Sequence, residues 1–132
     1  KGKVVTIFNR SDVIGRPLAV MMSNDGAEVY SFDVNGVLKF VNAEPHEISI
    51  SRKDALKVSD IVITGVPGRS FNKIGGNEIL EGAVCLNFSS IPNFADDINT
   101  YTDIYIPRIG PMTVAMCMRN LTRLYKNFHQ VS

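Results

Sequence analysis

The chain has 132 residues and a mass of 14.6 kDa, which is enough for one domain with a buried core and too little for two ordinary domains. Its 45% hydrophobic and 20% charged residues are typical of a globular protein and exclude a disordered or fibrous class. A formal net charge of +1 gives no electrostatic footprint for nucleic acid, and no apolar run is long enough to span a bilayer, so we expect neither a nucleic-acid nor a membrane partner.

The chain begins with a predicted β-α-β unit. Val4 to Phe8 (VVTIF) is apolar apart from one threonine, which indicates a strand buried on both faces. A polar loop then leads into a short predicted helix, Arg16 to Asn24, with a proline in its first turn and Asp25-Gly26 as its stop. Glu28 to Phe32 is the second predicted strand. Such a unit requires a right-handed crossover and predicts a parallel sheet.

The segment that follows is the hardest to assign. Asp33 to Ile50 is polar and interrupted by a glycine and a proline, and it is predicted to be an excursion on the surface. Ser51 then caps a predicted helix, SRKDALKVSD, whose apolar side is formed by Ala55, Leu56 and Val58.

Three further strands and one long helix complete the pattern. The strands are Ile61 to Thr64, Ala83 to Phe88 and Thr102 to Ile106, with a short helical piece, Asn77 to Leu80, before the second of them. Strands alternate with helices, so residues 1–132 are predicted to form one α/β domain: a Rossmann-like, doubly wound, mostly parallel sheet with helices on both faces. The last helix opens at Gly110-Pro111, and one of its faces is apolar: Val114, Cys117, Met118, Leu121, Leu124, Tyr125 and Phe128.

The cysteines and histidines carry little chemistry. Cys85 and Cys117 both lie in apolar stretches, where a thiol packs as a small hydrophobic group, so we expect two buried free thiols. A reducing compartment follows, and we expect a cytoplasmic protein. His46 and His129 are far apart in sequence, so no metal site is predicted.

Loops at the carboxyl ends of the strands are where an open α/β sheet binds ligands. The loop Asn9 to Gly15 leads into a helix whose free amides and positive dipole end favour a phosphate, and Ser11 adds a hydroxyl donor. The usual GxGxxG pattern is not met, so this turn alone is a weak signal. Asp33 directly follows the second strand, where a carboxylate can accept hydrogen bonds from ribose hydroxyls. Together they favour a dinucleotide over the alternative of an Asp exposed to water.

Three stretches resemble the methylenetetrahydrofolate dehydrogenase family. NRSDVIGRP is similar to its GRSxxVGxP turn, SDIVITGVPG to its third strand and the loop after it, and YIPRIGPMTVAMCMRN to the signature that opens its last helix. The sequence departs from the family at Asn9, at Arg108-Ile109 and in LNFSS after the fourth strand. The NRS turn, Asp33 and the Asn87-Phe88 pair together resemble the NAD-dependent, monofunctional fungal type rather than the bifunctional enzymes that use NADP.

The resemblance implies that NAD is the cofactor, because a 2′-phosphate would face Asp33, and that Arg10 lies near the ribose or the pyrophosphate. Gly65, Val66 and Pro67 are expected on the adenosine and pyrophosphate side. Further cofactor contacts are expected along the whole carboxyl edge. The complete set is Arg10, Ser11, Gly15, Asp33, Val34, Gly65, Val66, Pro67, Asn87, Phe88, Ser89, Gly110 and Thr113.

The resemblance also implies oxidation of 5,10-methylenetetrahydrofolate to the methenyl form, with hydride passing to NAD. Because the chain opens directly into a strand, we expect residues 1–132 to be one domain of a longer two-domain enzyme. The family's catalytic groups and most folate contacts then lie in an upstream domain, so no catalytic residue is assigned here. A noncatalytic nucleotide-binding module and a dehydrogenase for another small substrate, such as a shikimate-type acid, stay open, as does a homodimer.

Overall fold

A computed structural model of the chain describes residues 1–129. Over this range one sheet of seven strands is accompanied by three α-helices and two short 3-10 helices, Gly76–Glu78 and Ile98–Thr100. The strands are β1 Val4–Phe8, β2 Glu28–Asp33, β3 Gly36–Val41, β4 Glu44–Ile48, β5 Ile61–Thr64, β6 Ala83–Asn87 and β7 Thr102–Ile106. The helices are α1 Gly15–Asn24, α2 Arg52–Val58 and α3 Gly110–Phe128.

The sheet is mostly parallel and doubly wound. Its strand order is β4-β3-β2-β1-β5-β6-β7, with β1 parallel to both β2 and β5. The pairs β5-β6 and β6-β7 are also parallel, whereas β2-β3 and β3-β4 are antiparallel. The chain therefore moves outward in one direction from β1 through β2 and in the other through β5. The α/β class is confirmed, and the switch point lies at the carboxyl end of β1.

Helices lie on both faces of the sheet, and alternate side chains of β1 pack against them. Val5 and Ile7 pack in one core cluster with Ala19 of α1, and all three are fully buried. Phe8 belongs to a second cluster, on the opposite face, with Leu56 of α2. A strand with helices on both faces must be apolar along its whole length, which is the pattern that identified β1 in the sequence.

The prediction that residues 33–50 form a surface excursion is wrong. This segment contains a hairpin of two strands, β3 and β4, which extends the sheet at one edge. Asn42 and Ala43 have φ values of 50° and 67°, so two successive residues take the left-handed conformation of a tight hairpin turn without the usual glycine. Pro45 is tolerated because β4 is an edge strand, where a missing N–H costs little. The signal that could have identified the hairpin is Phe40, a large apolar residue that is 1% exposed.

The expectation that Cys117 is buried is also wrong. Val58, on the predicted apolar side of α2, is half exposed. Cys117 and the entire apolar face of α3 are exposed, because the helix leaves the sheet after β7 and buries no residue against the rest of residues 1–129. Cys85, in contrast, is fully buried, and burial raises the pKa of its thiol to about 12.

Asp60 links the amino ends of the central strands. Its carboxylate accepts hydrogen bonds from Lys3 Nζ at 2.8 Å and from the Val4 amide at 2.9 Å. The Lys3 bond, followed by the Val4 bond, lowers the pKa of Asp60 below its ordinary value. The stabilisation is therefore fully present above the unfolded pKa and is lost as the pH falls through the lower folded pKa.

We predict that Asp60→Asn lowers the free energy of unfolding at neutral pH by about 1 kcal/mol or less, because the pair is partly exposed. The difference from the wild type should disappear in acid, where both proteins carry a neutral side chain at this position. Urea denaturation at several pH values measures this. Asp12→Asn, at a carboxylate that is 90% exposed, is the control. A difference that persists unchanged in acid would contradict the prediction.

Candidate functional site

A cavity of about 520 Å³ opens at the carboxyl ends of β1, β2 and β5. This is the switch point, where doubly wound sheets bind their ligands. Three loops meet there, and six of the residues predicted from the sequence lie in the wall. The lining residues are Phe8, Asn9, Arg10, Ser11, Phe32, Asp33, Val34, Val66, Pro67 and Phe71.

The loop after β1 is ordered by its own polar side chains. Asn9 Oδ1 accepts a hydrogen bond from the Ser11 amide at 2.8 Å, and Asn9 Nδ2 donates to the Gly65 carbonyl at 2.8 Å. Ser11 Oγ accepts from the amides of Ile14 and Gly15 at 3.2 and 3.3 Å, which caps the start of α1. The Ser11 hydroxyl keeps its proton to donate to an anion. Asn9 thus replaces a glycine of the usual pattern with a side chain that joins two loops.

Gly15 is required at the start of α1. A Cβ at this position would lie 2.0 Å from the Asn9 carbonyl oxygen. The close approach of α1 to the end of β1 therefore depends on glycine. The first amides of α1 are already hydrogen-bonded, those of Ile14 and Gly15 to Ser11 Oγ and that of Arg16 to the Ser11 carbonyl, so the free amides expected there are absent.

Asp33 ends β2 at the rim of the cavity. It pairs with Gly36 across the tight β2–β3 turn, and Val34 in that turn is 95% exposed. The carboxylate is exposed and so keeps access to hydroxyl groups of a bound ligand. Arg10 lies beside the same turn, with Nη2 2.6 Å from the Ser31 carbonyl and 2.8 Å from the Gly36 carbonyl.

Aromatic rings form an apolar wall that the sequence analysis missed. Phe8 stacks on Phe32 with ring centroids 4.9 Å apart, and Phe71 meets Phe8 edge-on at 5.7 Å. The guanidinium of Arg52 lies 5.8 Å from the centre of the Phe8 ring and 5.3 Å from that of Phe71, on the α2 side. Such a surface suits a flat heterocycle. Phe8 is the last residue of β1 and Phe32 the last but one of β2, and this position at the carboxyl ends of the strands was the available signal.

The loop after β5 is held by side-chain amide bonds. Asn93 accepts from the Val66 amide at 2.9 Å and donates to the Val66 carbonyl at 3.0 Å, and Ser89 Oγ donates to the same carbonyl at 2.9 Å. A Cβ on Gly65 would lie 2.0 Å from the Phe88 ring, so glycine allows the ring to pack here. Asn93 was not identified from the sequence, because a lone Asn in a loop carries no pattern.

Asn87, Phe88 and Ser89 lie beside the cavity rather than in its wall. Asn87 is 2% exposed, and its Nδ2 donates to the carbonyls of Ser89, Ile91 and Pro107. Phe88 packs against the α1-side core. These three residues support the loops in the structure, and their contact with a cofactor stays a prediction.

Gly110 and Thr113 open α3 and are not among the cavity-lining residues of the described range. Thr113 Oγ donates to the Ile109 carbonyl at 3.0 Å, within its own helix. Their predicted contact with the cofactor stays a prediction. In residues 1–129 no group of three or more His, Cys, Asp or Glu side chains could hold a metal ion, and no helix has the length and apolar character to cross a membrane.

The doubly wound sheet, the capped turn into α1 and an acidic residue after β2 define the class of α/β dinucleotide-binding domains. No family model matches the chain. It is 42% identical over 138 residues to the NAD(+)-type methylenetetrahydrofolate dehydrogenase of Saccharomyces cerevisiae, and 43% identical over 133 residues to that of Dictyostelium discoideum. These matches cover 96% of this chain in both cases, and 43% and 42% of the two relatives.

The solved structure of the S. cerevisiae NAD-dependent 5,10-methylenetetrahydrofolate dehydrogenase superposes with a TM-score of 0.84 at 41% identity, over 96% of this chain and 43% of that one. The bifunctional protein FolD of Mycoplasma capricolum is 33% identical, again over 96% of this chain and 44% of its own length. The resemblance is confirmed: along nearly its whole length the chain is related to the NAD-dependent methylenetetrahydrofolate dehydrogenases. It spans less than half the length of these curated relatives.

We predict that Asn93→Ala lowers the free energy of unfolding by about 1 to 3 kcal/mol, because the buried Asn93 side chain makes two hydrogen bonds to the half-buried amide and carbonyl of Val66. Urea denaturation measures the loss. Asn72→Ala is the matched control, since the Asn72 side chain is exposed. Equal stability of the two variants would show that Asn93 does not hold the loop.

Proposed function

We propose that this chain binds NAD and forms the cofactor-binding part of a methylenetetrahydrofolate dehydrogenase. The observation that carries the proposal is the cavity at the switch point, whose wall contains both Asp33 after β2 and Ser11 in the loop after β1. The relatives' names indicate an NAD-dependent dehydrogenase of 5,10-methylenetetrahydrofolate. We infer from the family resemblance that the product is the methenyl form.

The residues present fit a dinucleotide. Gly15 and Gly65 do not line the cavity, but a Cβ at either would collide with Asn9 or Phe88, so both glycines allow the close packing of the loops beside it. The Ser11 hydroxyl would donate to phosphate, and Asp33 would accept hydrogen bonds from ribose hydroxyls. The wall of Phe8, Phe32 and Phe71 would exclude water from the base. The nicotinamide supplies the hydride chemistry when it is bound, and this domain orients it.

Asp33 also explains the choice of NAD over NADP. Two unit charges 4 Å apart repel by about 1 kcal/mol in bulk water and about 4 kcal/mol at the effective dielectric of a protein surface. A 2′-phosphate carries more than one unit charge, and Asp33 is exposed, so solvent would screen the repulsion between them. A difference of about 1.4 kcal/mol is already a factor of ten in affinity.

We therefore expect the chain to bind NAD at least about tenfold more tightly than NADP in calorimetric titrations at one ionic strength. Asp33→Asn should bring the two affinities closer together, because it weakens the binding of NAD and removes the repulsion of the NADP 2′-phosphate. Asp103→Asn, an exposed carboxylate of β7 away from the cavity, should leave the ratio unchanged. Equal affinity for both cofactors in the wild type would contradict the selectivity, and no binding of either would contradict the proposed function.

The folate site and the catalytic groups belong, in this proposal, to a further part of a longer protein. The chain spans 43% of the S. cerevisiae relative, and two apolar surfaces are left open. One is the apolar face of α3, from Val114 to Phe128. The other is the sheet face where Val84 pairs with Ile104, which is 54% exposed. We propose that, in a protein of the relatives' length, the rest of the chain covers the apolar face of α3.

The unpaired thiols support a reducing compartment such as the cytoplasm.

Cys117 reports this coverage directly. In the 132-residue chain we expect iodoacetamide to alkylate Cys117 rapidly and Cys85 only after unfolding, as followed by mass spectrometry. In a protein of the relatives' full length that contains this chain, Cys117 should react at least about tenfold more slowly, because opening of the interface would then limit the rate. Equal rates of Cys117 alkylation in the two proteins would contradict the coverage of α3.

The 132-residue chain should show no dehydrogenase activity. Activity would contradict the proposal that the folate site and the catalytic groups lie elsewhere in a longer protein.

A further inference from the structure

Arg10 lies at the cofactor site but directs its hydrogen bonds at the protein. We infer that Arg10 is a positioning residue, which holds the β2–β3 turn and with it Asp33 in place, and which is thereby withdrawn from binding a 2′-phosphate. This inference rests on the proposed NAD site. It differs from the expectation that Arg10 contacts the ribose or the pyrophosphate.

The hydrogen bonds of Arg10 straddle Asp33. Nη2 donates to the carbonyl of Ser31, before Asp33 on β2, at 2.6 Å, and to the carbonyl of Gly36, after it on β3, at 2.8 Å. Nε adds a longer bond to Ser31 Oγ at 3.4 Å. Ser31 is fully buried, so one end of the attachment is fixed in the core. A single guanidinium therefore joins both arms of the turn to the loop after β1.

The turn needs such an attachment. Val34 is 95% exposed, and Gly36 has a φ of 128°, a conformation that only glycine adopts easily. An exposed turn at the end of a sheet has little packing to offset the entropy lost when it is ordered. Hydrogen bonds from a charged donor are stronger than neutral ones, so Arg10 can supply this order. The position of the Asp33 carboxylate follows from the order of the turn.

The same bonds govern the choice of cofactor. Arginine grips a phosphate with two parallel N–H groups, and in Arg10 the edge formed by Nε and Nη2 is already directed at Ser31. Among the ion pairs of residues 1–129 none joins Arg10 to Asp33. No ion pair with Arg10 therefore occupies the carboxylate, which is left open to accept hydrogen bonds from ribose hydroxyls and to repel a 2′-phosphate.

Calorimetric titration of Arg10→Ala with NAD and with NADP tests the inference. We expect NAD binding to weaken by about tenfold or more, and the ratio of NAD to NADP affinity to move toward one. Arg10→Lys should behave like Arg10→Ala, because an ammonium group lacks the planar fork. Arg123→Ala, an exposed arginine of α3 outside the cavity wall, should leave both affinities within about twofold.

A double-mutant cycle separates positioning from general damage. If Arg10 acts through Asp33, Asp33→Asn narrows the cofactor ratio in the wild type and changes it little in the Arg10→Ala background. If Arg10→Ala only lowered the stability of the protein, the binding of both cofactors would weaken equally. Asp33→Asn would then change the affinity ratio as much as it does in the wild type. That result would overturn the inference, as would a loss of NADP affinity larger than that of NAD.

Amide hydrogen exchange of the unliganded protein gives a readout that does not depend on the cofactor. Arg10→Ala should accelerate exchange in residues 33–36 by about tenfold or more and leave the amides of β1 unchanged. Unchanged exchange in the turn would overturn the inference even if the wild type binds NAD. If the wild type binds neither cofactor, the proposed function and the cofactor-selecting half of this inference both fail, and the exchange rates still decide whether Arg10 holds the turn.

Discussion

The central strand β1 is the constraint on which the rest of the structure depends. It pairs in parallel with β2 on one side and with β5 on the other, and its side chains enter the two cores on opposite faces of the sheet. The chain leaves its carboxyl end between two diverging connections, so a crevice forms there without any special residue. Phe8, the last residue of β1, belongs both to a core cluster and to the cavity wall. Stability and binding thus share the same residues at this point.

Side-chain amides complete the site where the usual glycines are missing. Asn9 joins the loop after β1 to the loop after β5, and Asn93 pairs with the backbone of Val66 in a manner similar to a neighbouring strand. Asn87 joins the loop after β6 to Pro107 beyond β7. An Asn side chain carries one donor and one acceptor group, so each can satisfy both polar groups of a loop backbone. The carboxyl edge is therefore held by three short side chains where the usual pattern has glycine turns.

The two sides of the cavity have different physical characters. Phe8, Phe32 and Phe71 make one wall apolar, and Arg52 lies behind two of these rings. Asp33 and Ser11 make the rim polar, and Arg10 is turned toward the backbone of β2 and β3. A ligand with a flat apolar group next to hydroxyl and phosphate groups matches this division. A nucleotide has this composition, and a purely apolar ligand would leave the rim without partners.

The sequence by itself determined the α/β class, the bounds of β1, β5 and β7 and the start of α3, because buried parallel strands are continuously apolar and amphipathic helices have a regular period. Local pattern also placed Arg10, Ser11, Asp33, Val34, Val66 and Pro67 at one edge, since the carboxyl ends of parallel strands converge. Only the tertiary structure decided the direction of Arg10, the pairing of Asn93 with Val66, the hairpin of β3 and β4 and the exposure of α3. Each of these depends on contacts between segments that are distant in sequence, or on their absence, and no local period encodes such contacts.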